Sequence, residues 1–307
     1  MIVDLRRHGR RYAFEYPPHG HSDHLPMALL ALAGLGAPAE RRESFVASYQ
    51  PRLTPAPPGH AHRQQALLDD IDVRGITAVV EDHLPRYVSG WYRAAYHPLI
   101  RLAYGVAFDQ PGEVAAGLAY LEACGASARL EALARRAVHV AGPSGLDLLR
   151  LASGWRVDPG GDTSFDARAD AVLVQPRMAE LAVTVNDNLR ETSRAALAAF
   201  ASTHDFFALH LVTAGHAFRI LHRFAGPDAD AVMNLGLLAG FLAIGAPDVA
   251  EPSARAGPTG LPAPARLLEL CRDDEHDLKV AYSAWAQAAH WQDPAYLVAV
   301  EEYLRRR

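Results

Sequence analysis

The chain has 307 residues and contains very little cysteine and very little lysine. Its two cysteines, Cys124 and Cys271, are too few for a disulfide framework, so we expect packed thiols and a cytoplasmic location. The longest apolar stretch, 232–246, includes Asn234 and three glycines and is too short to span a bilayer. Residues 1–11 are charged and lack the apolar region of a signal peptide. These absences predict a protein that neither crosses a membrane nor depends on disulfides.

Motifs of several common enzyme classes are also missing. No Gly-x-Gly-x-x-Gly follows a strand, which argues against a dinucleotide fold and predicts that no flavin is bound. No His-Glu-x-x-His, cysteine pair or Glu-x-x-His marks a compact metal site, and no Gly-x-Ser-x-Gly marks a serine hydrolase. A net charge of −5 without a long basic patch argues against nucleic acid. Any site must therefore be assembled from distant segments.

Lysine occurs once, as Lys279, among 30 basic residues. A genome biased towards arginine codons could have left this lysine by accident. Alternatively, arginine cannot replace it, because a guanidinium stays protonated, whereas a buried amine can lose its proton and act as a nucleophile or, once carboxylated by carbon dioxide, as an anionic ligand. His276 lies three residues earlier, so on a helix the two side chains share one face. Asp273 or Asp274 is expected to cap that helix.

Helical periodicity dominates the chain and strand-like alternation is scarce, which predicts an all-α fold with a single multi-helix domain over residues 1–307. Residues 1–18 are expected to form an irregular arm with a short strand at 1–5, and 154–170 a loop that could contain a hairpin. Long Pro/Gly loops are expected at 51–59 and 247–265. Helices are predicted over about 22–36, 39–49, 64–68, 76–84, 90–108, 111–124, 127–140, 145–153, 177–200, 204–224, 229–244, 262–272, 274–290 and 294–306.

Histidine is abundant, with 15 residues, and several lie in short blocks. In chain order the blocks are Tyr16-Pro17-Pro18, 21–29 (HSDHLPMAL), 97–100 (HPLI), 209–213 (LHLVT) and 274–279 (DEHDLK). Together and in this order they resemble the questin oxidase-like family. That family includes oxygen-using enzymes that open the central ring of anthraquinones in polyketide pathways, described as Baeyer–Villiger-type oxidation or as iron-dependent dioxygenation.

The resemblance implies a mononuclear non-haem iron, Fe(II), held by four histidines and a carboxylated lysine. Matched block by block, these ligands are His24, His97, His210, His276 and Lys279. Electrostatics agrees, since four neutral imidazoles would leave a buried ferrous ion with its full charge, and an anionic ligand is needed. Five protein ligands would leave one octahedral position for dioxygen or a chelating phenolate. His204 and His216 are the substitutes if one histidine is assigned wrongly.

Two further groups of residues are candidates for supporting the site. Aromatic rings are expected to line a flat pocket for a polycyclic substrate, with ordinary core packing as the alternative for each. With one further histidine, the pocket candidates are Tyr16, Trp91, Tyr96, Phe207, His216, Tyr282 and Trp285. Asp23, Asp205 and Asp274 lie close to the histidines in sequence and are candidate hydrogen-bond partners for the imidazoles. His97 precedes Pro98, which biases its backbone away from the α region and places it at a kink or a helix start.

Three functional hypotheses follow. The first is an iron-dependent oxygenase that uses dioxygen to cleave a carbon–carbon bond in an aromatic polyketide such as an anthraquinone or its hydroquinone. The hydroquinone could supply electrons itself, and NADPH is left open as reductant. The second is a metal-dependent hydrolase in which the carboxylated lysine bridges two metals, which would require further carboxylate ligands. The third is a non-catalytic helical binding protein.

Overall fold

The computed structural model describes residues 4–17, 20–136, 138–139, 145–158, 160, 164–181, 184–185, 189–252 and 263–307. Its helices are α1 (Leu5–Arg11), α2 (Leu25–Gly34), α3 (Ala39–Tyr49), α4 (Pro58–Tyr87), α5 (His97–Ala107), α6 (Pro111–Cys124), α7 (Ala128–Ala134), α8 (Gly145–Ala152), α9 (Phe165–Leu173), α10 (Pro176–Leu181), α11 (Leu189–Thr203), α12 (Phe206–Leu221), α13 (Ala229–Ala243), α14 (Pro264–Leu270), α15 (Glu275–Trp291) and α16 (Ala295–Arg306). Strands β1 (Glu15–Tyr16) and β2 (His21–Ser22) pair antiparallel, and β3 (Val138–His139) and β4 (Thr184–Val185) pair parallel. The prediction of an all-α, single-domain fold is confirmed.

Four helices position the site described below. α5 packs against both α6 and α12, and α15 packs against both α2 and α12. The close approach of α5 and α6 depends on glycine, because a Cβ at Gly117 would overlap the backbone of Leu102. The apolar α13, which the sequence predicts to be central, is buried along nearly its whole length and packs against α9, α11 and α12. The starts of α2, α5, α12 and α15 thereby face a common interior.

The N-terminal segment is more regular than predicted. Residues 1–3 lie outside the described part, and Leu5 begins α1 instead of ending a strand. A buried ionic network anchors this helix: His8 Nε2 lies 2.7 Å from Asp23 Oδ2, and Arg101 Nη1 lies 3.7 Å from the same oxygen. Arg101 Nε also donates to Glu113 Oε2 at 2.8 Å. The sequence LRRHGRR has too few apolar residues to reveal this helix by periodicity.

The turn before α5 also differs from the prediction. Residues 90–108 are not one helix, because a 3-10 turn at Arg93–Tyr96 intervenes and α5 begins at His97. His97 stands at a helix start as predicted, but its backbone is α-helical, with φ −58° and ψ −40°. Pro98 is tolerated because it occupies the first turn of α5, where its missing N–H removes no helical hydrogen bond.

Other boundaries shift for local reasons. The helices predicted at 64–68 and 76–84 are one run, α4, broken at Gly75, where φ is 81°. The predicted loop 154–170 ends earlier, because Ser164 Oγ accepts from Ala167 N and caps α9; residues 159 and 161–163 lie outside the described part. The helix predicted over 177–200 is divided into α10 and α11, and the one predicted over 127–140 stops at Ala134, before β3.

Both cysteines are free, and burial raises the pKa of each thiol to about 12, as expected for packed thiols. Among the described residues, no helix is long and apolar enough to cross a membrane.

Candidate metal centre

Four histidines from different helices meet in the interior. His24 precedes α2, His97 opens α5, His210 lies in the second turn of α12, and His276 lies in the first turn of α15. His24 Nε2 lies 2.7 Å from His97 Nε2, and His210 Nε2 lies 3.1 Å from His97 Nε2. One ring nitrogen from each of the four lies within 4.8 Å of the others. We call these four residues the histidine cluster.

Backbone carbonyls orient two of the rings. His97 Nδ1 lies 2.5 Å from the carbonyl oxygen of Ala94, and His210 Nδ1 lies 2.8 Å from that of Phe206. A carbonyl only accepts, so both Nδ1 atoms carry a proton and donate it. The lone pairs of both Nε2 atoms are therefore directed into the cluster, which is the tautomer that a metal ligand requires.

Side chains orient the other two rings. His24 Nδ1 lies 3.4 Å from the hydroxyl of Tyr49, and His276 Nδ1 lies 3.4 Å from Asp274 Oδ1. His276 Nε2 is buried and has no hydrogen-bond partner among the described residues. A carboxylate or hydroxyl on the far side of an imidazole is the usual support of a histidine that binds a metal.

Burial keeps these rings uncharged. Burial, reinforced by neighbouring positive charge, lowers the pKa of His24, His97 and His210 well below the ordinary range, and burial also lowers that of His276. Near pH 7 the rings are neutral and their lone pairs are free. Neutral imidazoles with Nε2 atoms this close repel one another through those lone pairs, so a cation among them would be stabilising. The donor set therefore fits a metal ion.

Lys279 is fully buried next to the histidine cluster. Its Nζ has no hydrogen-bond partner among the described residues, and a positive charge on Nζ would lower the pKa of all four imidazoles. Burial lowers the pKa of Lys279 from 10.5 to about 7, although Glu275 and Asp274 favour its charged form. A buried ammonium without an acceptor is costly. The pocket around Nζ therefore suits an amine that is neutral or modified better than a free cation.

A cavity of about 370 Å³ opens onto the cluster. His24, His97 and His276 line it at the cluster, and the aromatic part of its wall is Phe165, Phe206 and Phe207. Its polar wall residues are Glu15, His21, Ser22, Ser164 and Asp166. A small aromatic molecule would thus have ring faces to stack on and acceptors at its edge.

Of the predicted pocket residues, Phe207 lines this cavity, and the other six pack elsewhere among the described residues. Trp91 and Tyr96 are buried against α13, and Tyr16 packs edge-on against Tyr49. His216, Tyr282 and Trp285 form a separate group between α12 and α15. For these six, the structure agrees with the alternative of ordinary core packing.

The predicted acidic partners behave differently from one another. Asp274 contacts His276 and also caps α15, accepting from His276 N at 2.8 Å. Asp205 instead caps α12, and Asp23 accepts from His8 and from Leu25 N.

Neither substitute histidine joins the cluster. His204 lies at a second cavity, of about 380 Å³, with its Nδ1 near Arg306, and His216 packs beside Tyr282. Burial lowers the pKa of His216 to about 3.

Several wall residues were missed by the sequence analysis. Phe206 lies in the helix predicted over 204–224, but neighbouring residues of a helix point about 100° apart, so assigning Phe207 to the cavity gave no reason to include Phe206. Ser164 and Asp166 form a helix-start signal that matches the observed start of α9. The Gly/Asp-rich residues around them led to the prediction of a loop instead. Ala94 and Ala95 gave no signal, since nothing in an alanine pair indicates the left-handed backbone they adopt.

The helical fold and the buried cluster of four histidines define a protein that could hold a metal ion inside an all-α domain. The family model for Questin oxidase-like proteins matches residues 21–284, and the chain belongs to this family. Membership implies an oxidoreductase of the oxygenase type that acts on a small molecule. A search of curated proteins finds no match.

Proposed function

We propose that this protein is a non-haem iron-dependent oxygenase that cleaves a carbon–carbon bond of an aromatic polyketide, of the anthraquinone or hydroquinone type, with a Baeyer–Villiger-like outcome. The observation that carries the proposal is the histidine cluster, in which two backbone carbonyls fix the tautomer of His97 and His210. Family membership supports the oxygenase class. Dioxygen is the proposed co-substrate, no flavin is needed, and NADPH remains open as a reductant.

His24, His97, His210 and His276 would hold the ferrous ion. When bound, iron supplies a centre that brings dioxygen and the substrate into contact and exchanges single electrons with them. The protein contributes four neutral nitrogen donors in a buried site, whose rings are held from their Nδ1 sides. That support keeps the donors aimed without reorganisation when the metal binds.

Lys279 would supply the anionic ligand as a carbamate. The Nζ lone pair adds to carbon dioxide, the nitrogen–carbon bond forms, and one proton leaves, which gives a carboxylate on a long arm. Its burial supports this role, as does the lack of a hydrogen-bond partner for Nζ in the part of the chain that the structure describes. His24, His97 and His276 all lie at helix starts, where the partial positive charge of the macrodipole also favours an anion in their midst.

The cavity would orient the substrate. Phe165, Phe206 and Phe207 offer faces for a flat polycycle, and Glu15 on the wall would accept a hydrogen bond from a phenol. The Glu15 carboxylate is itself held by the Tyr120 hydroxyl, which donates to its Oε1 at 2.6 Å. Binding of the polycycle in this cavity would exclude water from the reacting carbon.

The hydrolase alternative has less support. It requires carboxylates free to bind a second metal. Asp274 Oδ1 already accepts from the backbone amides of His276 and Asp277, and Glu275 lies 3.7 Å from Arg52 Nη1. A helical binding protein without a metal would not require the Nε2 lone pairs of His97 and His210 to face one another.

The test is anaerobic loading of the purified protein with Fe(II), elemental analysis, and oxygen uptake over a panel of polycyclic hydroquinones. We expect about one iron per chain and substrate-dependent oxygen consumption. His210→Ala should lose iron and activity, whereas the exposed His290→Ala should retain both. Full activity after exhaustive chelation, or an equal loss in both variants, would contradict the proposal.

A further inference from the structure

Three consecutive residues before His97 adopt a left-handed backbone. Their φ values are 48° for Ala94, 50° for Ala95 and 69° for Tyr96. Residues with a Cβ rarely adopt this conformation singly, and a run of three is strained. The strain lies directly next to a proposed ligand, so something in the fold must hold the turn in place.

The Asp166 carboxylate contacts the backbone of this turn. Asp166 Oδ2 accepts from Ala94 N at 3.0 Å, and the nearby backbone N–H of Ala95 also favours the charged form of the carboxylate. Successive amides in a left-handed turn converge and form a site for an anion. Asp166 is itself fixed, because it lies in the first turn of α9, which Ser164 caps. The carboxylate thus offsets the strain of the turn by accepting from the amide of Ala94 and lying close to that of Ala95.

The left-handed turn also orients the imidazole of His97. The N–H of Ala94 donates to the Asp166 carboxylate, and the carbonyl oxygen of Ala94 accepts from His97 Nδ1 at 2.5 Å. One peptide segment therefore connects the acid to the ring without any direct contact between them. A relaxed turn would move the carbonyl and release His97 to other rotamers or to the other tautomer.

We propose that Asp166 is a positioning residue for the metal centre: by accepting from the amide of Ala94, beside that of Ala95, it holds the left-handed turn whose carbonyl fixes the ring and tautomer of His97. The proposal rests on the proposed function in that it treats His97 as a metal ligand. Part of the metal affinity would then depend on an acid that lies 69 residues from His97 in sequence.

Asp170 provides the matched comparison on the same helix. Its carboxylate accepts from the hydroxyl of Tyr92 and lies 3.3 Å from Arg93 Nη1, so it contacts side chains near the turn. Among the described residues, its carboxylate accepts from Tyr92 and Arg93 and not from the amides of Ala94 and Ala95. Removing Asp170 therefore disturbs the same region without removing the anion from the turn.

The experiment measures Co(II) binding to full-length protein by its visible absorption under anaerobic conditions, with no turnover involved. Asp166→Ala should weaken Co(II) binding by about 10- to 100-fold, the range typical for loss of a group that orients a metal ligand. Asp170→Ala should weaken it less than about threefold. Asp166→Asn, which keeps an acceptor oxygen, should lie between the two.

A second pair of changes separates positioning from general destabilisation. Glycine adopts the left-handed conformation without strain. Adding Ala94→Gly and Ala95→Gly to Asp166→Ala should therefore restore at least tenfold of the lost affinity, although glycine adds no contact. If Asp166 instead acted by touching the bound molecule or by supporting the core, the glycines would restore nothing, and that result overturns the proposal.

Nitrogen NMR of the metal-free protein distinguishes this failure from failure of the proposed function. With His97 assigned from the spectrum of His97→Gln, the parent should show an Nδ1-protonated ring, and Asp166→Ala should show a mixture of tautomers. If the parent binds no Co(II), the proposed function fails while this spectrum still decides the role of Asp166. An unchanged His97 signal in Asp166→Ala overturns the proposal, and Asp166→Asn serves if the alanine variant does not fold.

Discussion

At the scale of single residues, the position of Lys279 separates two explanations of the only lysine in the chain. A lysine kept by codon chance would be expected on the surface, where arginine serves equally well. Lys279 is instead fully buried with an Nζ that lacks a hydrogen-bond partner among the described residues. Long cationic side chains are almost never fully buried without a partner. The position therefore favours a chemical reason for lysine.

Substitutions of Lys279 test this reason. Lys279→Arg keeps a positive charge and removes the proposed anionic oxygen, so we expect iron content and turnover to fall below detection. Lys279→Ala leaves space, and formate or acetate should partly restore iron binding. Iron per chain, measured by elemental analysis after anaerobic loading, reports both effects.

Depleting carbon dioxide during loading is the control on the unmodified protein, and it should lower iron occupancy. An arginine variant with normal iron content would show that no carbamate is needed.

Tyr49 supports another ligand from behind. Its hydroxyl accepts from His24 N at 3.0 Å and lies 3.4 Å from His24 Nδ1. Tyr49→Phe would leave a buried backbone N–H without an acceptor, which costs about 1–3 kcal/mol of unfolding free energy. Urea denaturation measures this cost. Tyr12→Phe is the control, because among the described residues Tyr12 Oη accepts only from the exposed Gln50, and a change within about 0.5 kcal/mol is expected.

Residue blocks predicted more of the cluster than of its surroundings. His276 and Lys279 could be placed on one helical face from their spacing, and Asp274 could be recognised as a cap. The role of Asp166 could not, because it depends on a left-handed turn formed by two alanines, for which sequence gives no indication. Among the predicted pocket residues, Phe207 lines the cavity at the histidine cluster and the others do not. Periodicity indicates that a ring is buried, but it does not tell whether the ring faces a cavity or the core.

At the scale of elements, α13 and the left-handed turn fit together through glycine. A Cβ at Gly240 would overlap the hydroxyl of Tyr96, and one at Gly236 would overlap the indole of Trp91. Trp91 Nε1 also donates to Val232 O at 3.1 Å, which fixes the indole on this helix. The two glycines therefore set the distance between α13 and the segment that leads to His97.

Gly240→Ala should be destabilising even though alanine is the better helix former. The change gains up to about 1 kcal/mol in helix propensity, and the overlap with Tyr96 costs more, so we expect a net loss of about 1–3 kcal/mol. Gly59→Ala, in the first turn of α4 with open space around it, should be neutral or stabilising by up to about 1 kcal/mol. Urea denaturation measures the change in unfolding free energy of both variants. A loss of similar size in both would contradict the prediction.

Helix boundaries marked by a neighbouring proline or glycine were predictable, and those of the short polar α1 were not. α3 and α6 begin and end at the predicted residues, and α13 differs by one. α1 carries five basic residues in seven and depends on the network around Asp23, which only the tertiary structure creates.

At the scale of the whole molecule, the four histidines proposed as ligands connect segments spread from residue 24 to residue 276. A metal that binds only the folded chain stabilises it by about 2.7 kcal/mol at a free concentration of 100 times Kd. With roughly 2.1 cal/mol/K of unfolding entropy per residue over 307 residues, this raises Tm by about 4 °C. Differential scanning fluorimetry with Co(II) or Fe(II) measures the shift. His210→Ala should abolish it, and His290→Ala should not.

The fold class followed from the sequence because helical periodicity needs only local information. The arrangement of α2, α5, α12 and α15 around one point did not, because it depends on packing between helices far apart in the chain. The family resemblance supplied that arrangement indirectly, by indicating which histidines belong together.

The separation of the ligands also has a consequence in time. His24 and His97 are 73 residues apart, and His97 and His210 are 113 apart, so each contact closes a long loop. Long loops form late in folding, because their closure entropy must be offset by packing that already exists. A nascent or half-folded chain therefore has no place for the metal. Under the proposed function, oxygen chemistry would begin only after the chain has sealed its own interior, which would keep reactive iron away from the unfinished protein.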